Sequence, residues 1–209
     1  MKYVEQPNSS PLKPFLYSYR RCPYAMRARM ALLGSKVEFD IYEISLKAKP
    51  QEMLEVSSKG TVPVLILKNL ILDESIDIMN WAREQNFVNN FLHIDDKDLE
   101  EVNKLININD GKFKDKLDYY KYNSGDTIIK RKISFNDCLF FIEILEGKLN
   151  QRSFLFSDEA GYADIAIFPF IRQFANVDLN LFSETHYTNV KDWLNTLVNC
   201  RAISASSDA

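Results

Sequence analysis

The stretch "PFLYSYRRCPYAMRARMALLG" (residues 14–34) changes its hydrophobic period halfway along, and that change decides the fold. "PFLYSY" (14–19) is short and aromatic-rich, which reads as a strand. After Cys22 the apolar residues recur at helical spacing, with Met26, Met30 and Leu33 as one stripe. Gly34 is placed to end that helix. "VEFDIY" (37–42) then alternates Val37, Phe39 and Ile41 against Glu38, Asp40 and Tyr42, the pattern of a half-buried strand. Strand, helix, strand makes a βαβ unit, so these two strands are expected to be parallel.

"PQEMLEV" (50–56) fits a short helix, since proline is tolerated where its missing N–H is not needed. "VPVLIL" (62–67) and "LIL" (70–72) flank "KN", which predicts a tight hairpin although the favoured Asn-Gly pair is absent. "ESIDIMNWAREQ" (74–85) is helical, with Asp73 as the expected N-cap. The order β-α-β, α, β-β-α predicts a compact sheet with helices on its faces. Asparagines and acids interrupt the pattern at "NFVNNFLHIDD", so the chain is divided into an α/β domain (1–86), a linker (87–96) and an all-helical domain (97–209). In the latter, Leu99, Val102, Leu105, Ile106, Phe113, Leu117 and Tyr120 share a face, with Asp110-Gly111 expected to kink or split the helix. Phe135, Leu139, Ile142, Leu145 and Leu149 make a second stripe, and Val190, Trp193, Leu194 and Leu197 a last one. "ADIAIFPFI" (163–171) is apolar all round and belongs at the centre of its domain, while "ISASSDA" reads as a frayed tail.

The totals narrow the function. A hydrophobic content of 46% suits a buried core, and a net charge of −3 argues against a nucleic-acid binder, which needs a concentrated positive footprint. No apolar run approaches the roughly 20 residues that span a bilayer, and "MKYVEQPNSS" lacks the apolar stretch of a secretory signal, so a soluble, cytosolic protein without membrane partners is expected. Three widely spaced cysteines, Cys22, Cys138 and Cys200, do not form a disulfide framework, so reduced thiols are expected. The two histidines, His93 and His186, support neither a metal site nor a Ser-His-Asp arrangement.

Cys22 falls at the N-cap of the first helix, ahead of Pro23, where unpaired N–H groups and the positive end of the helix dipole favour an anion such as a thiolate. Thiols so placed have pKa values lowered from about 8.5 to between about 3.5 and 7.5. Arg20 and Arg21 add positive potential, but as neighbours on a strand at most one faces the sulfur. Cys138, inside a helix, and Cys200 read as inert. Position 25 is alanine, so no Cys-x-x-Cys disulfide closes, and a second thiol must come from solution. Glutathione, a thiol peptide with one ammonium group and two carboxylates, is the cytosolic candidate.

Other features bear on that ligand. Val62 precedes Pro63, and a cis bond there would expose the backbone of Val62 to an extended peptide, although an ordinary proline opening a strand fits equally well. Glu74 and Ser75 at a helix start suit an ammonium and a carboxylate, or simple capping. Lys49 suits the second carboxylate, or is a solvated charge.

With "CPYA" and "MRAR" at the first helix, then "KP", "VP" and "ES" in order and "ADIAIFPFIRQF" as a core helix, the chain resembles a cysteine-type cytosolic glutathione transferase, close to the omega class and its bacterial relatives. The likeness implies an α/β thioredoxin-like N-terminal domain followed by an all-α domain, and a homodimer. It implies that Cys22 forms a mixed disulfide with glutathione, that Val62 and Pro63 present the backbone to its cysteinyl unit, that Lys49 meets the glycyl carboxylate, and that Glu74 and Ser75 hold the γ-glutamyl end. Tyr24 would line the cleft, with Phe113, Tyr120 and Phe168 as the substrate-side wall. One departure concerns folding: the family opens its core helix with Ser or Thr, and here Gly161 stands three residues before Asp164, leaving half of a capping box.

The activity so implied is glutathione-dependent thiol–disulfide exchange on one cysteine. Tyr17 and Ser18 are nearby hydroxyls that would allow weak glutathione conjugation. The alternative is a non-catalytic binding or regulatory module on the same fold. The arginines 20, 21, 27 and 29 suit acidic substrates, or read as solvated surface charge.

Overall fold

The computed structural model describes residues 1–85, 90–123 and 127–200. The chain forms two compact units, one of Met1–Leu92 and one of His93–Val198. Part of the expected linker and the whole of the expected frayed tail lie outside the described residues.

The first unit is a five-stranded mixed sheet. Strand β2 (Phe15–Ser18) runs parallel to β3 (Asp40–Glu43), joined through helix α1 (Pro23–Gly34) as the βαβ pattern predicts. After α2 (Gln51–Val56), strands β4 (Val64–Leu67) and β5 (Leu70–Leu72) form the expected hairpin about Lys68-Asn69, with β4 antiparallel to β2. A strand β1 (Lys2–Tyr3), absent from the sequence reading, pairs parallel with β3, so the order is β1-β3-β2-β4-β5. All four residues of β2 are buried, and Phe15 and Tyr17 on one face join Ile44, Met53, Val64 and Ile66 in a core cluster. Helix α3 (Ser75–Gln85) packs against α1. This is the thioredoxin-like arrangement.

Helix α1 departs from the expected single stripe. Every residue from Ala25 to Leu32 is buried, and Leu33, assigned to the buried face, is half-buried. Gly34 does not terminate the helix by a left-handed turn. The turn of helix is closed by Ser35 N–H on the carbonyl of Ala31 at 2.9 Å, and the positive φ of 55° belongs to Lys36. Gly34 is required for packing, because a Cβ there would lie 1.9 Å from a ring carbon of Phe91.

Helices are the regular secondary structure of the second unit among the described residues. Helix α4 (Leu99–Ile108), a π segment (Asn109–Phe113), α5 (Lys114–Asp118) and a second π segment (Tyr119–Asn123) follow one another. Asp110-Gly111 therefore widens the helix without splitting it, and the extra residue keeps Phe113, Leu117 and Tyr120 in the core. Leu99, expected on that face, is exposed. Then come α6 (Ile128–Leu149), α7 (Tyr162–Ala175), α8 (Leu179–Ser183) and α9 (Thr188–Asn199). In α6 the buried positions include Cys138 and Phe141, while Leu139 is only half-buried. Helix α7 is buried from Tyr162 to Ile171, as its uniformly apolar sequence predicts. No helix among the described residues is long and apolar enough to cross a membrane.

Candidate active site

A tight turn delivers Cys22 from β2 to α1. Its N–H donates to the carbonyl of Tyr19 at 3.0 Å, its backbone is extended (φ −83°, ψ 118°), and its own carbonyl accepts the first helical bond, from Met26 at 2.9 Å. Pro23 supplies the first helical residue, and the first turn carries no acid that would compete for the positive end of the dipole. Cys22 is half-buried, and its thiol donates to the carbonyl of Val62 at 3.7 Å. The Val62–Pro63 bond is cis. Residues 40 positions apart thus meet at one point, with the backbone of Val62 facing the sulfur.

The arginines divide into two pairs. Arg20 and Arg21 are exposed and sit in the turn, not on a strand, and Arg20 N–H donates to the carboxylate of Glu43. Arg27 and Arg29, read as solvated charge, are buried at 2% and 1% exposure, because α1 is enclosed on all sides. Arg27 Nε donates to the hydroxyl of Ser75 at 3.0 Å, and its guanidinium lies 5.0 Å from the ring centroid of the half-buried Tyr24. Arg27 thereby links two predicted site residues, Tyr24 and Ser75, and Glu74 is next to Ser75 in the chain.

Helix α3 begins one residue later than expected. The carbonyl of Glu74, not of Asp73, accepts the first helical bond, from Ile78 at 3.0 Å. Asp73 instead accepts from the Ser57 hydroxyl at 2.8 Å and from Lys59 at 3.0 Å, which lowers its pKa from the ordinary value, the Ser57 bond contributing most. Glu74 pairs with Lys59 at 2.6 Å, a cation that the sequence reading did not single out. Lys49 is exposed, and its ammonium lies over Gly60, where a Cβ would stand 3.7 Å away. Gly60 itself has φ +59°, the left-handed conformation that turns the chain toward Val62.

Several assignments are corrected. Phe113, Tyr120 and Phe168 do not line a wall; each is at most 1% exposed. Phe113 packs on Phe141 at 4.8 Å, Tyr120 on Phe135 and Phe174, and Phe168 edge-on to Trp193 at 6.2 Å, which makes them the aromatic core of the helical unit. Tyr17 and Ser18 are fully buried and already bonded: the Tyr17 hydroxyl to Asn8, with its pKa pushed up to about 12 chiefly by burial, and the Ser18 hydroxyl to Arg29. Neither is placed to hold a thiolate from solution. Cys138 is buried with its thiol on the carbonyl of Ser134 at 3.5 Å, and burial pushes its pKa up to about 12.

Two family models match. The N-terminal domain of glutathione S-transferase matches residues 16–89, and the C-terminal domain of glutathione S-transferase matches residues 140–200. Glutathione S-transferase U28 of Arabidopsis thaliana is 28% identical over 161 residues, 73% of this chain and 68% of that protein. A probable glutathione transferase of Aplysia californica is 34% identical over 65 residues, 31% of this chain and 71% of that protein. Among solved structures, a glutathione transferase family member from Pseudomonas fluorescens, with two glutathione bound, superposes with a TM-score of 0.80 at 19% identity, over 96% of this chain and 95% of that one.

Proposed function

The chain belongs to the glutathione transferase family, and from that premise we propose that it is a glutathione-dependent thiol transferase working through a mixed disulfide on Cys22. The observation that carries this reading is a half-buried cysteine at the N-terminus of an enclosed helix, with the backbone of Val62 across from its sulfur. The thiol's bond to the Val62 carbonyl favours the protonated form, but a thiol is a weak donor and 3.7 Å is long. The helix end, worth about 0.3–1 kcal/mol or more when partly buried, outweighs it.

In the first step the Cys22 thiolate attacks the glutathione sulfur of a glutathionylated substrate. The Cys22–glutathione bond forms, the substrate–glutathione bond breaks, and the substrate leaves as its thiolate, taking a proton from solvent. In the second, a free glutathione thiolate attacks the mixed disulfide and releases glutathione disulfide, restoring the Cys22 thiolate. Each turnover oxidises one free glutathione, and the other half of the glutathione disulfide is the glutathionyl group that the substrate brought. Val62 pairs with the cysteinyl backbone of the bound peptide, Lys49 attracts its glycyl carboxylate, and its ammonium group takes the place of Lys59 at Glu74 while Ser75 and the start of α3 hold the γ-glutamyl carboxylate. With Tyr17 and Ser18 buried and bonded elsewhere, neither of these hydroxyls holds the glutathione thiolate for conjugation, which favours reduction.

The test is intact mass after incubation with glutathione disulfide. One adduct of a single glutathionyl group, on Cys22 and lost in Cys22→Ser, is expected. An adduct confined to Cys138 or Cys200, or none, overturns the mechanism.

A further inference from the structure

A guanidinium sealed from solvent is costly to bury and needs a compensating role. Arg29 Nη1 donates to the Ser18 hydroxyl and, at 3.5 Å, to the carbonyl of Tyr19; Nη2 donates to the carbonyl of Arg20 at 3.3 Å. The same Tyr19 carbonyl accepts the N–H of Cys22. One planar fork therefore grips three consecutive residues, from the end of β2 into the turn that carries the thiol. Arg29 also stands seven residues after Cys22, two helical turns along the same side of α1.

The charged or titratable groups facing this guanidinium are Glu43 of β3, Tyr3 of β1, Arg20 of the turn and Cys22 itself. Burial lowers the pKa of Arg29 from its ordinary value, and the anionic forms of Glu43, Tyr3 and Cys22 oppose that fall. A guanidinium nevertheless stays charged at any pH of interest. A partly buried helix end moves a pKa by up to about 1.5 units, while reactive thiols in such settings reach down to about 3.5–7.5, so a second source of positive charge would deepen the shift.

We infer that Arg29 is a positioning residue for Cys22: its guanidinium fixes the Ser18–Arg20 turn and supplies the enclosed positive charge that keeps the sulfur anionic. The inference rests on the thiolate reading of Cys22 above. Arg29 touches neither substrate nor glutathione; it acts through the cysteine.

The experiment is the rate of Cys22 alkylation by iodoacetamide as a function of pH, followed by mass, for the full chain and three variants. The unsubstituted protein has its midpoint at or below about 7.5. Arg29→Gln raises the midpoint by about one unit, Arg29→Lys, which keeps the charge without the fork, holds it within about half a unit, and Glu43→Gln, which removes the opposing carboxylate while keeping an acceptor for Arg20, lowers it. An unmoved midpoint in Arg29→Gln, or an equal rise in Arg29→Lys, overturns the inference. If Arg29→Gln does not fold, Arg29→Lys decides: a midpoint held within about half a unit keeps the inference, and a rise of about one unit overturns it. A midpoint near 8.5 in the unsubstituted protein defeats the thiolate reading itself; a low midpoint that Arg29→Gln leaves in place defeats only the role of Arg29.

Discussion

Helices α1 and α7 are the enclosed spines of their units, and their N-termini are finished in opposite ways. At α7 the carboxylate of Asp164 accepts three N–H groups: Gly161 at 3.0 Å, Leu155 at 3.0 Å and the Trp193 indole at 2.7 Å. Burial raises the pKa of Asp164, and those three donors oppose the rise. At α1 the N-cap side chain makes no capping bond, and a half-buried sulfur stands where a carboxylate would be. One terminus is closed by the protein's own anion; the other leaves that place to a group that can be exchanged. On the function proposed for Cys22, the contrast teaches that the same physical feature, a positive helix end, serves stability where a carboxylate fills it and would serve chemistry where a thiol stands.

Crossing the two sites breaks or sharpens that contrast most strongly. Cys22→Ser is expected to lower glutathione-dependent disulfide reduction by at least about 1000-fold, or about 4 kcal/mol. Its unfolding free energy by chemical denaturation moves by less than about 1 kcal/mol. Asp164→Ala does the reverse: three donors lose a buried acceptor, which costs about 3 kcal/mol of stability, while the pH midpoint of Cys22 alkylation stays in place. A large stability loss in Cys22→Ser, or a shifted Cys22 midpoint in Asp164→Ala, would erase the distinction between the two ends.

The legibility of these regions differed for physical reasons. Strands β2 to β5 and the Lys68-Asn69 turn were readable because alternation and apolar run length are local signals. Strand β1 was not, since Lys2 and Tyr3 are exposed and pair only because β3 offers an edge. The bond from Asp164 to Gly161 was legible, because a capping box has fixed spacing. The burial of Arg27 and Arg29 was hidden, because nothing local says that a helix is enclosed by elements distant in sequence. Phe113, Tyr120 and Phe168 were misplaced for a related reason: aromatic residues at helical spacing look alike whether they fill a core or line a cleft.

Two glycines extend the comparison to smaller effects. At Gly34, in the last turn of α1, an added Cβ meets the Phe91 ring at 1.9 Å, so Gly34→Ala forces the ring or the helix to shift. The expected loss is about 1–3 kcal/mol, read by chemical denaturation. An unchanged stability would mean that Phe91 yields without cost and that the close approach is incidental.

At Gly161 the balance is finer. Its backbone is extended (φ −127°, ψ −167°), which any residue adopts, so conformation does not require glycine. Proximity acts instead: a Cβ would stand 3.1 Å from the carbonyl oxygen of His93, which also accepts the N–H of Tyr162 at 3.3 Å. Gly161→Ser adds a hydroxyl that completes the capping box, worth a few tenths of a kcal/mol over glycine, and loses a similar amount to that contact. Its stability is therefore expected within about 0.5 kcal/mol of the unsubstituted protein. Gly161→Ala carries the same Cβ without the hydroxyl and is expected to be less stable than Gly161→Ser by about 0.5–1 kcal/mol. Equal stabilities for the two variants would show that Asp164 alone finishes α7, whereas a gain above about 1 kcal/mol in Gly161→Ser would show that the His93 carbonyl places no constraint on the residue at this helix end.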